Sequence, residues 1–180
     1  MAPRAGRLIL LDDAMIPPAH LVRLTNHVNR ASFRLNGRRD TCILCSYALH
    51  YLLGMLLHKS RPVRVTAAFF PKGNNQHAVT LGSNGCGQRL PKASNGCWHG
   101  HLAVLVDEKW LCDPTADQAN KDGISVPPLV IEMQSLDPFH ATHLDVNGCH
   151  VRYNLFRKQT GFKHAPDSRP SHWMEIVRSI

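Results

Sequence analysis

The stretch that most restricts the fold is DTCILCSYALHYLLGMLL, residues 40–57. Asp40 or Thr41 can accept hydrogen bonds from the free amides of a helix start, and the helix is expected to run to about Leu57. Leu49, Leu52, Leu53 and Leu56 then form a wide apolar stripe, with Cys45 aligned on it. Such a stripe is stable only when covered. His50 and Gly54 interrupt the apolar run, which is shorter than the roughly 20 residues needed to cross a bilayer. The cover must therefore be protein, and 180 residues suffice for a single domain, residues 1–180, with a sizeable core.

The remaining segments suggest what that cover is. Pro17-Pro18 opens a first helix in which Leu21, Leu24 and Val28 recur at helical spacing, followed by a loop in FRLNGRRD. VRVTAAFF, HAVTLG and PPLVIEM are rich in β-branched or aromatic residues and read as strands. GHLAVLVDEKWLCD reads as a hairpin. HATHLDVNGCHVRYNLF is a second hairpin, with Asn147-Gly148 supplying the positive-φ turn. SHWMEIVRSI closes the chain as a helix, and SNGCGQRLPKASNGC, residues 83–97, is a long loop of the kind that rims functional sites. The expected class is α+β, with the cysteine-bearing helix packed centrally on an antiparallel sheet.

Composition narrows the setting. The apolar run Leu8–Leu11 is shorter than a signal peptide's core, and Cys42, Cys45 and Cys112 fall inside regular elements rather than on a disulfide scaffold. A reducing, cytoplasmic environment is expected, with no membrane partner; delivery to another cell is left open. The net charge of +8 invites nucleic acid, but the 21 basic residues are dispersed. The densest group, Arg34, Arg38 and Arg39, lacks the interleaved aromatics of a single-strand binder. Nucleic acid is therefore not expected as the main ligand.

Three residue types point to chemistry. A cysteine in the first turn of a helix, as Cys42 is, sees unpaired amides and the positive end of the helix dipole, which favour thiolate. Acyl transfer pairs such a thiolate with a histidine that a third group orients. His101 opens one strand of the first hairpin and Asp113 ends the other, so antiparallel pairing sets them at the same end of the ladder, within about 5 Å. Asp113 could equally start a turn at Asp113-Pro114-Thr115.

Cys42, then RPVRV, then GHLAVLVDEKWLCDPT resembles the transglutaminase-like branch of the papain-like cysteine enzymes, including uncharacterised bacterial and phage-borne members. Pro62, Arg64, Trp110, Asp113, Pro114 and Thr115 match its pattern over residues 40–118. The resemblance implies a papain-like fold and a cysteine-dependent hydrolase or acyltransferase (thiol protease, amidase, deamidase or transglutaminase type) working without a cofactor. It implies the order Cys42, His101, Asp113, with His101 preferred to His99 and Asp113 to Asp117. The family's usual helix length, counted back from Pro62, lands on Cys45, so Cys45 stays open as nucleophile. Trp98 or Trp110 is a candidate wall around the thiolate and imidazole, and Gln118 a candidate contact. The expected substrate is a protein or peptide, or a small-molecule amide.

Two other readings use the same residues. Cys42-x-x-Cys45 has zinc-ligand spacing, and Cys97, His99 and His101 offer further ligands for a non-enzymatic zinc module. A thioredoxin-like redox motif also starts a helix with this spacing, but its parallel βαβ context is missing.

Overall fold

The computed structural model describes residues 17–37, 41–72, 79–82, 100–120, 123–157, 159 and 166–180. Its elements run α1 (Pro18–Asn36), α2 (Cys42–Met55), β1 (Ser60–Pro71), β2 (Val79–Leu81), β3 (His101–Val106), β4 (Trp110–Asp113), β5 (Leu129–Glu132), β6 (Thr142–Val146), β7 (Cys149–Leu155) and α3 (Pro170–Arg178). The α+β class and the order of elements are as expected. Asp40 and the loop 83–97 lie outside the described residues.

The strands form one antiparallel sheet in the order β5-β4-β3-β1-β7-β6, with β2 added to β1. The twelve-residue β1 organises it. One edge of β1 pairs with β3 over Ser60–Val65 and then with β2 over Ala67–Phe69, while its other edge carries β7. The handover from β3 to β2 falls beside Val65, the partner of His101.

Side chains alternate across a strand, so each face of the sheet builds its own core. Val65, Ala67 and Phe69 of β1, Ala103 and Leu105 of β3, and Val151 and Tyr153 of β7 fill one side. The segment that follows β4 covers that side with Ala116, Ala119, Ile124 and Val126. On the other side Val104, Val106 and Cys112 meet Leu44, Cys45, Ala48, Leu49 and Leu53 of α2, with α1 and α3 flanking. Burial on both faces is why β3 after His101 reads LAVLV, apolar at every position. Each fully buried leucine contributes about 2 kcal/mol of apolar transfer, and Ser46 adds a hydrogen bond from α2 to the Leu102 carbonyl at 2.9 Å.

Three local expectations are corrected. α1 continues through Phe33-Arg34-Leu35-Asn36, where a loop was expected, and ends on Gly37 at φ 54°. α2 stops at Met55, and Leu57 turns at φ 64° to start β1, so Leu56 and Leu57 are exposed and the buried stripe ends at Leu53. Thr41 makes no side-chain hydrogen bond to the amides of α2. Its hydroxyl instead lies 3.1 Å from the Ser32 hydroxyl and 3.4 Å from the Cys45 sulfur, tying α1 to α2.

Candidate active site

The β3–β4 hairpin brings His101 and Asp113 together at its open end, on the face away from α2. The pairs Val104↔Cys112 and Leu105↔Leu111 set the register, which leaves Asp113 diagonally across from His101. The His101 Nε2 lies 2.7 Å from Asp113 Oδ2, and both side chains are within 1% of full burial. A carboxylate only accepts, so Nε2 carries the proton and donates. The second ring nitrogen, Nδ1, is thereby left for other chemistry.

Three further donors hold the carboxylate. Tyr153 donates its hydroxyl to the same Oδ2 at 2.7 Å, while the Thr115 amide donates to Oδ1 at 3.0 Å with the Thr115 hydroxyl at 3.4 Å. Burial works against ionising Asp113, but the His101 charge and these hydrogen bonds outweigh it and hold the carboxyl below its ordinary 3.8. Burial likewise disfavours a charged His101. The attraction of Asp113 and the hydrogen bond between them, with a smaller contribution from Cys42, prevail and lift the imidazole to about 10. The same carboxylate and burial push the Tyr153 phenol well above its usual value, which keeps it a donor.

Cys42 reaches this pair from the other side of the sheet. It is the first residue of α2, half-buried beside Ile43, Leu102 and Tyr47. Its sulfur is 3.9 Å from the Gly100 carbonyl, just before β3, and close enough to His101 to add to the rise in the imidazole's basicity. The start of β3 is thus the crossing point. The helix-side thiol and the opposite-side imidazole meet there because β3 begins at His101 and β2 takes up the edge of β1 only from Ala67.

Cys45, one turn on, has different surroundings. It is fully buried between α1 and α2 against Thr41, and burial pushes its thiol up to about 12. Cys42 and Cys45 therefore face different neighbours, one the opening of β3 and the other the helical core.

No family model, no curated protein and no solved structure matches the chain. Trp98, Cys97 and His99 lie outside the described residues. Trp110 opens β4 at the end remote from Asp113 and packs in the helix-side core, so it is not a wall for the Cys42–His101 pair. Gln118 sits half-buried on the short 3₁₀ turn Ala116–Ala119, after the Asp-Pro-Thr turn. Among the described residues no group of three or more metal-ligating side chains forms.

Three supporting residues escaped the sequence reading. Tyr153 is one, although the inward alternation Cys149, Val151, Tyr153, Leu155 in β7 was a usable signal, since a buried phenol needs a partner. Asn29 of α1 is another: its amide donates to the Pro114 carbonyl at 2.7 Å and to Asp117 Oδ1 at 3.2 Å, clamping the turn after Asp113. The third is Gly82, at φ 83°. A Cβ there would lie 2.6 Å from the Val65 carbonyl and 3.4 Å from the His101 Cβ, so only glycine lets the chain pass over the histidine strand.

Proposed function

We propose that this chain is a cysteine-dependent hydrolase or acyltransferase of the papain-like, transglutaminase-like kind. Cys42 is the nucleophile, His101 the proton carrier and Asp113 the group that orients it. The supporting observation is the buried His101–Asp113 hydrogen bond of 2.7 Å, with the helix-opening Cys42 thiol beside Gly100 and near enough to raise the basicity of the same ring.

In this reading the Cys42 proton already rests on His101 Nδ1 at neutral pH, as a thiolate–imidazolium pair, and the thiolate sulfur attacks an amide or acyl carbonyl carbon. The oxyanion that forms is met by amides at the start of α2, where Cys42, Ile43 and Leu44 precede the first amide bonded within the helix, Cys45 N to the Thr41 carbonyl at 2.9 Å. Collapse breaks the carbonyl–nitrogen bond, and the leaving amine takes the proton from His101. Water, or a second amine, then attacks the thioester and regenerates the Cys42 thiol, giving hydrolysis or transfer. Full burial and a thiol pushed up to about 12 weigh against Cys45 as the nucleophile in this scheme.

The test is the rate of alkylation by iodoacetamide across pH, in the native chain and in Cys42→Ala, Cys45→Ala and His101→Ala variants. A fast phase at neutral pH is expected that vanishes in Cys42→Ala, survives in Cys45→Ala and slows in His101→Ala. If every cysteine reacts no faster than a free thiol, or the fast phase follows Cys45, the proposal fails.

A further inference from the structure

A second cluster of titratable side chains stands on the outer face of the β6–β7 hairpin. Asp145 and His150 are directly opposed in the ladder, and His143 lies diagonally across from His150. His150 Nδ1 is 2.8 Å from Asp145 Oδ1, so Nδ1 carries the proton and donates, which leaves the lone pair on Nε2. That Nε2 lies 3.1 Å from His143 Nδ1, with the two ring centroids 5.3 Å apart and the rings within 26° of coplanar orientation. Both rings are exposed.

Two nitrogens in this arrangement share one proton, and a cation can replace it. Placed about 2.0–2.1 Å from each nitrogen, a metal would subtend an angle of about 100° between them, near both tetrahedral and cis octahedral values. His143 must carry its proton on Nε2 in place of Nδ1, and the two rings, which now meet nearly head-on, must tilt until their lone pairs converge on the metal, a movement their exposure permits. The Asp145 carboxylate already does for His150 what second-shell carboxylates do in metal sites, fixing the tautomer and the orientation of the ligating ring. The hairpin is a firm platform, because Asn147 and Gly148 take the two positive-φ positions of a two-residue turn, at 49° and 73°. Arg152, paired with His143 in the ladder, has its guanidinium over the Phe70 ring at 5.8 Å, which gives that charge its own seat.

We propose that His143 and His150 form a two-nitrogen site for one divalent transition-metal cation of the nickel, copper or zinc type, oriented by Asp145 and completed by water. The site rests on this face alone and is independent of Cys42 and His101.

The test is a titration of the full-length chain with Ni²⁺, which avoids the thiol oxidation that copper would bring, followed by calorimetry and by paramagnetic broadening of the histidine ring resonances. One Ni²⁺ per chain should bind, with the His143 and His150 resonances broadening first. Affinity should fall at least about tenfold in His143→Ala and in His150→Ala, and about tenfold in Asp145→Asn, which keeps both ligands. His140→Ala, at another exposed histidine paired with an aspartate, should bind as the native chain does. The absence of a saturable site, broadening that begins at other histidines, or unchanged affinity in His150→Ala would overturn the proposal.

Discussion

The two ends of the β3–β4 hairpin carry the same kinds of charge and put them to different uses. At the turn end Asp107 and Glu108 adopt φ of 50° and 51°, Arg61 grips Glu108 through two hydrogen bonds of 2.9 and 3.0 Å, and Lys109 reaches Glu132 at 3.1 Å. These pairs are open to solvent, with Arg61 and Glu108 46% and 59% exposed. At the open end His101 and Asp113 form a single pair in the dry interior. Water screens the first set and makes each pair worth little, whereas burial makes the second both costly and strong. The difference is one of surroundings.

The sharpest way to break the comparison is Asp113→Ala. It leaves a buried imidazole and a buried phenol without their shared acceptor, so a loss of about 3–5 kcal/mol is expected in urea unfolding. Asp113→Asn keeps the shape but removes the charge; it should cost less stability and still abolish the fast Cys42 alkylation, because the amide no longer holds the ring in the Nε2–H tautomer. Alkylation at the native rate in Asp113→Asn would mean that the pair does not control the thiol.

pH supplies the next largest effect. The raised His101 contributes stability fully below its unfolded value of 6.5 and loses it as pH climbs from there to about 10. The depressed Asp113 contributes above 3.8 and loses its part as pH falls below that. The pair therefore stabilises the fold most between 3.8 and 6.5. The stability difference between the native chain and His101→Gln should shrink above that window by up to about 1.4 kcal/mol per pH unit. A difference that stays constant up to pH 10 would contradict a buried ion pair.

Tyr153→Phe removes one charge-assisted hydrogen bond, worth about 1.5–3 kcal/mol, and should move the acid limb of the stability profile to higher pH because Asp113 loses a donor. An acid limb that does not move would reduce Tyr153 to a packing residue. Arg61→Ala, at the solvent end, should cost no more than about 1 kcal/mol and less still in high salt. A loss comparable to Asp113→Ala would erase the contrast between the two ends.

Much of this arrangement was legible in the chain. The period-two pattern and the Asn147-Gly148 turn marked the second hairpin, and antiparallel pairing alone placed His101 beside Asp113. The end of α2 was misjudged because Leu56 and Leu57 extend the apolar run past the helix, into a turn that propensity does not register. Tyr153 and Asn29 were missed because they come from β7 and α1, 40 and 85 residues from the groups they bind. No local pattern connects such positions.

The sequence by itself determined that α2 must be buried, that an antiparallel sheet buries it, and that one imidazole and one carboxylate share a hairpin end. Those are consequences of periodicity, turn chemistry and register, which act over a few residues. Only the tertiary structure decided that Cys42 faces His101 while Cys45 faces the helical core, and that four donors converge on Asp113. Both depend on how α1, α2 and β7 pack around one end of β3, and burial, which sets the electrostatics of the site, exists only after that packing is complete.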